Sequence, residues 1–583
     1  MRRALSPLLL GSVGLAASLS EICTTSNVQA ALPADGFIEG VTFNASSVTA
    51  ALVYNETYTG ENNFPDATIS YCNVTFAYSH AGLGDNVQVQ YWLPSNFSNR
   101  FLTTGGGGYA INSVSTSLPE AVFYGAVGGA TDGGFGGFDS EFDAVFPLRN
   151  GTANFPALYS FAYESIHEMS VFGLEFTKQI YEIGNDTKVY TYYHACSEGG
   201  REGWSQVQRY GGQFDGAVVG APAFRFSFQQ LNHFGANFVQ QTLDYYPPSC
   251  ELDKIISETI AACDPLDGFT DGVVSRSDLC KLDFNMTSLI GTAYSCEESS
   301  ASSVPLRKRQ MVTSSATPAQ NGSITAQGVA VVQTIIDGLH DTDGNAFYFS
   351  YQPGADISFD AATAYNSTSG EWGISVSGVG AEFYQRFLKL VDSSSLDSIE
   401  GYTYDTLKAW MIEGWYRYQD SVHTTNPDLT EFQQAGGKII HYHGEQDNSI
   451  PTASSIRYWD SVRQVMYPGM SFNESTAALA EWYQLYLVPG AAHCAPNTAE
   501  PNGPWCQTAL GVMIDWVESG IEPVTLNATY LAGDYIGQNA QICQWPLRPM
   551  WSNNGTSMEC EYDQRSLDTW FYDFTDSLKL PLY

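Results

Sequence analysis

The stretch Lys188-Val-Tyr-Thr-Tyr-Tyr-His-Ala-Cys-Ser-Glu-Gly-Gly-Arg201 decides how the chain is read. Its alternating start predicts a strand over 188–194, and the residues beyond it predict a helix over 199–210. Between the two, Ser197 stands in Ala195-Cys-Ser-Glu-Gly199, with alanine where a first glycine is usual. A strand that turns sharply into a helix presents a serine hydroxyl at its tip and leaves no room for bulky neighbours. The helix start behind the serine points N–H groups and the positive end of its dipole at any oxyanion forming there. Alone this five-residue match is weak. Its place between strand and helix gives it weight.

Around this unit the strand–helix rhythm continues. Helical periodicity covers 159–183, and a buried strand, Asp215-Gly-Ala-Val-Val-Gly-Ala-Pro222, follows. The rhythm resumes with strands over 437–443 and 482–488 and helices over 453–465 and 506–519. This alternation predicts an α/β fold with a doubly wound, mostly parallel sheet. Between Phe224 and Thr430 the rhythm is lost in turn-rich and serine-rich sequence. An insertion of that length, set between two sheet strands, would form a large lid domain. The expected organisation is a leader over 1–19, a catalytic domain over 20–223 and 431–583, and a lid over 224–430. No internal repeat is present.

Two more residues complete a pattern. His493 lies in Val488-Pro-Gly-Ala-Ala-His-Cys494, and Asp447 in His441-Tyr-His-Gly-Glu-Gln-Asp-Asn-Ser-Ile-Pro451. Cys196 directly precedes Ser197 and Cys494 directly follows His493. If the two sulfurs bond, their Cα atoms lie within about 7 Å. One ~3.8 Å step at each end then leaves the Ser197 and His493 Cα atoms within roughly 14 Å. The order Ser…Asp…His is that of the α/β-hydrolase fold. Asp447 would orient one nitrogen of His493 so that the other faces Ser197. A single histidine is ordinarily a satisfied structural group; the ordered trio with its flanking cysteines favours catalysis. His441 and His443 read as strand residues without assigned chemistry.

Thr104-Gly-Gly-Gly-Gly-Tyr109 follows a strand over 100–104. Hydrolases of this class take a second oxyanion donor from such a loop, so the backbone N–H groups of Glu198 and of Gly106 or Gly107 form the expected hole. A phosphate-binding loop would end in Gly-Lys-Ser/Thr, which is missing.

Composition narrows the setting. The 583 residues carry 25 Lys and Arg against 62 Asp and Glu, a net charge of −37. So acidic a surface argues against nucleic acid or an anionic membrane as partner. Arg2 and Arg3 precede an apolar run from Ala4 to Leu19 that ends in small residues. This reads as a secretory leader; Gly11, Ser12 and Gly14 interrupt the run and weaken the rival reading of a membrane anchor. Asn-x-Ser/Thr acceptors occur at Asn44, Asn55, Asn73, Asn96, Asn150, Asn185, Asn285, Asn321, Asn366, Asn473, Asn527 and Asn554, which favours a secreted, glycosylated surface. Eleven cysteines in an exported chain should mostly be oxidised. Local pairs are Cys263–Cys280 and Cys543–Cys560, with Cys23–Cys72 near the start. Cys250, Cys296 and Cys506 remain; pairing Cys250 with Cys296 leaves Cys506 free. Sequence alone does not fix this connectivity.

Two segments of the insertion carry further signals. Cys263-Asp-Pro-Leu-Asp-Gly-Phe-Thr-Asp-Gly-Val-Val274 holds Asp264, Asp267 and Asp271 in a glycine-rich turn. Carboxylates with backbone carbonyls, here from Phe269 and Val273, suit a structural Ca²⁺, although the spacing is not that of an EF-hand. Metal-free Asp-Gly turns are the plainer alternative. Arg307-Lys-Arg309 interrupts a polar stretch, either as a solvated loop or as a site for cleavage after Lys308-Arg309 by a dibasic processing protease. Cleavage would leave two chains joined by a disulfide.

Cys196-Ser197, Asp447 and His493-Cys494 together resemble the fungal tannase and feruloyl esterase family over nearly the whole mature chain. The Asp264–Val273 segment resembles the family's calcium loop. Thr242-Leu-Asp-Tyr-Tyr-Pro-Pro248 and Lys308-Arg309 place the resemblance nearer the tannase branch. The resemblance implies a secreted serine esterase that cleaves galloyl ester and depside bonds of tannins through an acyl-enzyme on Ser197, with Ca²⁺ and no organic cofactor. A feruloyl or chlorogenate esterase on the same scaffold is the near alternative. A secreted serine peptidase and a non-catalytic glycoprotein binding plant polymers are more distant ones. Small-molecule and polyphenolic galloyl esters are the implied partners, and a homo-oligomer is compatible with the sequence.

Overall fold

Nine strands make one sheet. They are β1 (Val41–Tyr58), β2 (Ala67–His80), β3 (Val87–Pro94), β4 (Arg100–Thr104), β5 (Ala126–Thr131), β6 (Tyr190–Cys196), β7 (Gly216–Gly220), β8 (Lys438–Gly444) and β9 (Tyr483–Val488). Their order is β1-β2-β3-β5-β4-β6-β7-β8-β9. The first three strands and the β3–β5 pair run antiparallel. Every pair from β5 to β9 is parallel. The computed structural model describes residues 18–138, 148–149, 152–300, 302–307, 310–314, 316–553, 555–574 and 578. Residues 1–17 of the expected leader, the acceptors Asn150 and Asn554 and the cleavage residues Lys308 and Arg309 lie outside the described residues.

Period-two alternation sorts the parallel strands into two buried faces. Tyr193, Val219 and Leu485 join the core with α2 (Ser165–Ile180), α3 (Glu198–Arg209) and α7 (Ala453–Met466). Tyr192, Val218 and Tyr486 face the opposite side, against α8 (Ala509–Ser519). Leu102 and Ala130 bury α1 (Val114–Phe123) on that same side through Ala121 and Leu118. Helices therefore cover both sides of the parallel strands, which is why those strands read as continuous apolar runs. The doubly wound sheet expected from the sequence is present.

The helix expected over 159–183 is broken into parts. A short helix, Phe155–Tyr159, passes into a π-turn, Ser160–Glu164, before α2 begins. The π-turn has a partner: the Arg201 guanidinium of α3 donates to the Ala162 carbonyl at 2.7 Å and the Phe161 carbonyl at 3.3 Å. A π-turn leaves carbonyls off the regular i→i−4 ladder, free to accept such a side chain.

Between β7 and β8 the chain builds the insertion. Helices α4 (Ser249–Cys263), α5 (Ala326–Asp337) and α6 (Tyr404–Tyr418) are its longest elements. Two hairpins of four-residue strands, Ala293–Cys296 with Gln320–Ser323 and Thr363–Asn366 with Glu371–Ile374, decorate it. Ile255, Ile260, Val331 and Tyr351 form a core of its own, while Phe226, Phe383 and Met411 pack into the main core. The insertion is anchored on the sheet.

Five disulfides join Cys23–Cys72, Cys196–Cys494, Cys250–Cys296, Cys263–Cys280 and Cys543–Cys560. Cys506 is free and buried, and burial pushes its thiol up to about 12, so it is inert. Nine of the ten described glycosylation acceptors are exposed. Asn73 departs from the surface expectation: it sits half-buried in β2 and accepts from the Gln90 amide at 2.8 Å.

One charged cluster pins the antiparallel edge to the helical layer. His80 lies 2.8 Å from Glu168 of α2 and 2.5 Å from Asp85. The Glu168 hydrogen bond, opposed by burial and aided by Asp85, raises the imidazole from its ordinary 6.5 to about 9. A raised histidine stabilises the fold fully below the unfolded value, and that contribution fades as pH rises through the folded one. The stability difference between wild type and His80→Gln should therefore shrink between pH 6.5 and 9, by roughly 1–2 kcal/mol after allowance for partial solvent access. Urea unfolding across that range measures it; a pH-independent difference would contradict the pairing.

Candidate active site

The C-terminal ends of the parallel strands carry the chemistry. Ser197 follows β6 directly and has φ 69°, a left-handed conformation that costs a non-glycine residue about 1 kcal/mol or more. The surroundings enforce it by being too tight for anything else. A Cβ on Gly199 would lie 2.6 Å from the Gly106 carbonyl, and one on Gly200 would lie 2.4 Å from the Gly220 carbonyl. The elbow is thus wedged between the glycine-rich loop after β4 and the end of β7.

His493 reaches it from the loop after β9. Its Nε2 lies 2.8 Å from Ser197 Oγ and its Nδ1 lies 2.7 Å from Asp447 Oδ2. Asp447 Oδ1 accepts from the N–H groups of Ser449 and Ile450, both at 2.8 Å. Burial alone would raise Asp447, but the His493 and His443 rings outweigh it and hold the carboxyl well below the usual range. It is a carboxylate at any working pH. The Cys196–Cys494 bond lies directly beneath, with 6.0 Å between the Cα atoms. Cys494 itself has φ 57°, so one half of the bridge is a left-handed residue and the other, Cys196, adjoins one. The tip of the β1–β2 connection adds a brace: Asn62 Nδ2 donates to the Cys494 carbonyl at 3.4 Å, and Trp505 Nε1 donates to the Asn62 carbonyl at 2.7 Å.

Two histidines without an assigned role in the sequence turn out to support the acid. His443 Nε2 lies 3.1 Å from Asp447 Oδ2 and 3.0 Å from the Ile450 carbonyl. A carbonyl can only accept, so Nε2 carries a hydrogen, and Nδ1 lies 2.6 Å from Ser455 Oγ. Ser455 in turn lies 2.9 Å from His441 Nε2, and His441 Nδ1 lies 2.8 Å from the Tyr483 hydroxyl. This buried chain fixes the ring behind Asp447. The signal was in the spacing: His441 and His443 share a strand face, and His443 stands four residues before Asp447.

The expected oxyanion loop needs correction. The Gly106 N–H donates to Glu202 Oε2 at 2.8 Å, and the Gly107 N–H donates to the Ala110 carbonyl at 3.0 Å. Both groups are already used, so neither is a free donor in this geometry. The Glu198 N–H, at the first position of α3, has no acceptor among the described residues. Gly106 therefore packs against the helix start without offering a free donor.

The acidic turn lies beside the loops of the acid and the histidine. Asp264 Oδ1 accepts from the Asp271 N–H at 2.9 Å, Asp267 Oδ1 from the Phe269 N–H at 2.9 Å, and Asp271 Oδ1 from the Val273 N–H at 3.1 Å. Asp267 Oδ2 is buried without a partner. Burial, followed by the neighbouring carboxylates, pushes Asp271 up to about 7; burial and Asp264 bring Asp267 up to about 6. Among the described residues no three His, Cys, Asp or Glu side chains gather closely enough to hold a metal by themselves. Crowded carboxylates and an orphaned oxygen nevertheless fit a cation.

The segment that follows grips the catalytic loops. Gln446 Nε2 donates to the Val274 carbonyl at 2.9 Å, and Glu445 Oε1 accepts from Ser277 N at 3.0 Å. Glu500, on the histidine loop, accepts from Val274 N at 2.7 Å.

A hydroxyl, an imidazole and a buried carboxylate in this arrangement can attack a carbonyl carbon and shuttle the proton. The chain as a whole is similar to known proteins. Residues 72–565 match the family model described as tannase and feruloyl esterase. The chain is 49% identical to a tannase of Aspergillus oryzae over 97% of each chain. It is 30% identical to a probable feruloyl esterase of Arthroderma benhamiae, over 86% of this chain and 87% of that one. Among solved structures, the tannin acyl hydrolase from Aspergillus niger superposes with a TM-score of 0.93 at 54% identity, covering 98% of this chain and 100% of that one. Feruloyl esterase B from Aspergillus oryzae shares the fold, with a TM-score of 0.67 at 24% identity over 92% and 100% of the two chains. With this match over most of its length, the chain belongs to the tannase and feruloyl esterase family of carboxylic ester hydrolases.

Proposed function

We propose that the chain hydrolyses galloyl esters of tannins, releasing gallic acid through an acyl-enzyme on Ser197. The observation that carries the chemistry is the 2.8 Å contact between Ser197 Oγ and a His493 ring fixed by Asp447. The galloyl preference rests on the 49% and 54% identities to a tannase and a tannin acyl hydrolase, against 30% to a probable feruloyl esterase.

In the forward step His493 Nε2 takes the Ser197 proton as Oγ bonds to the ester carbonyl carbon. The carbonyl oxygen becomes an oxyanion beside the Glu198 N–H. Collapse breaks the bond to the alcohol oxygen, which leaves with the proton held on His493. Water then gives a proton to His493 and attacks the acyl carbon. Ser197 departs, takes that proton back, and the free acid is released. Asp447 stays ionised throughout and stabilises the imidazolium.

Hydrolysis of methyl gallate should exceed that of methyl ferulate by at least about tenfold in kcat/KM, a ratio that polar recognition of ring hydroxyls readily supplies. A preference for ferulate would reverse the assignment. Ser197→Ala should lower kcat by about 10⁴-fold or more with an unchanged melting temperature. Retained activity would place the nucleophile elsewhere.

The Asp264, Asp267 and Asp271 carboxylates with the Phe269 and Val273 carbonyls would hold Ca²⁺, which supplies charge neutralisation to a buried acidic turn. Its role is structural. Chelation should lower the melting temperature by several degrees, about 1–3 kcal/mol of lost ligand-linked stability, and added Ca²⁺ should restore it. A melting temperature indifferent to chelator would dismiss the metal.

The surface acceptors and the leader signature support an extracellular setting, and no helix among the described residues is long and apolar enough to cross a membrane. Cleavage after Arg309 would give a two-chain form joined by Cys196–Cys494. A self-associated form is equally compatible with the fold.

A further inference from the structure

Behind the elbow lies a charge imbalance that the reaction does not use. Glu198, Arg201 and Glu202 sit on one face of the first turn of α3 and are all buried, at 1%, 0% and 0% exposure. Arg201 Nε donates to Glu198 Oε1 at 2.8 Å, and its Nη2 donates to the same oxygen. The remaining guanidinium bonds go to the π-turn carbonyls of Phe161 and Ala162. Glu202 Oε2 accepts from Gly106 N. That leaves two orphans, Glu198 Oε2 and Glu202 Oε1. Their carboxyl groups lie one helical turn apart, within hydrogen-bonding reach of each other.

One guanidinium cannot neutralise two dehydrated carboxylates, and an unpaired buried charge is strongly destabilising. A single proton removes the excess charge and both orphans at once. Placed on Glu202 Oε1, it is donated to Glu198 Oε2. Glu198 then accepts from Arg201 on one oxygen and from Glu202 on the other. The location agrees with the electrostatics, since burial and the Glu198 carboxylate push the Glu202 carboxyl well above its ordinary range. Tyr193 and His423 are also ionisable neighbours of this cluster: the Tyr193 hydroxyl donates to the Gly199 carbonyl at 2.6 Å, and the buried His423 ring is held neutral by burial with the Arg225 and Arg201 charges beside it.

We propose that Glu202 is a protonated positioning residue: it shares its proton with Glu198 and clamps the Gly106 N–H, fixing the glycine-rich loop against the helix start that forms the oxyanion hole. Gly106 then contributes as a handle for placing the wall of the hole. The catalytic consequence rests on the esterase reading above. The shared proton does not, because it follows from burial and the count of charges.

The test uses the full chain and p-nitrophenyl acetate, a substrate that makes no demand on galloyl recognition. Gln can accept from Gly106 N–H and donate to Glu198, so Glu202→Gln should keep kcat within about threefold of wild type. Glu202→Leu has similar bulk and neither bond; its kcat should fall about 10–100-fold with KM within about twofold, the signature of a displaced oxyanion donor. Equal losses in both variants, or full kcat in the leucine variant, would overturn the clamp. Infrared difference spectra of wild type minus Glu202→Gln at neutral pH should show a protonated carboxyl band. Its absence would overturn the shared proton even if the leucine variant failed to fold. A wild type inactive on the acetate would instead count against the esterase reading, leaving the infrared result to decide the proton.

Discussion

The Cys196–Cys494 bond is the constraint on which the rest of the site depends. It fastens the residue before the serine to the residue after the histidine, across a sequence separation of 298. Both neighbouring turns are held in conformations that a free loop would leave: Ser197 at φ 69° and Cys494 at φ 57°. A left-handed residue persists only where its surroundings over-determine it. Here the covalent tie does so from below, and the glycine loop and the end of β7 do so from the sides. The hydroxyl and the imidazole meet at 2.8 Å on this frame.

Ser197, Asp447 and His493 each have a separate support. Ser197 stands on α3, whose first turn is locked by Arg201 to the π-turn and by Glu202 to the glycine loop. Asp447 is fixed by two backbone N–H groups and by His443 at the end of a buried polar chain. The histidine loop is gripped through Glu500 by Val274, and the acid loop through Gln446 by the same residue. The segment just beyond the acidic turn thus touches both loops. Hydrogen bonds to this one short stretch of backbone connect the turn with the acid and histidine loops.

Much of this was legible in the chain, for a physical reason. The parallel strands are apolar on both faces, so 215–222 and 482–488 stand out; the small residues Ala195 and Gly199 bracket Ser197, so the elbow reads as a motif. The cysteine neighbours gave a distance bound before any coordinates. What could not be read depends on packing between distant segments. The helix expected over 159–183 broke into a π-turn because Arg201, remote in sequence, takes its carbonyls. The Gly106 and Gly107 N–H groups were expected in the oxyanion hole but are spent on Glu202 and Ala110. His443 looked like a plain strand residue until the fold set it against Asp447.

On this reading the sulfur bridge sets the serine–histidine geometry. The most direct measurement is methyl gallate turnover by the Cys196→Ala/Cys494→Ala double variant, taken well below its unfolding temperature. Removing the bridge should cost roughly 2–5 kcal/mol of stability by releasing a long loop in the unfolded chain. If the bridge also positions the pair, kcat should fall by about 10²-fold, the scale of an ångström's misplacement. A folded double variant with undiminished kcat would contradict the account.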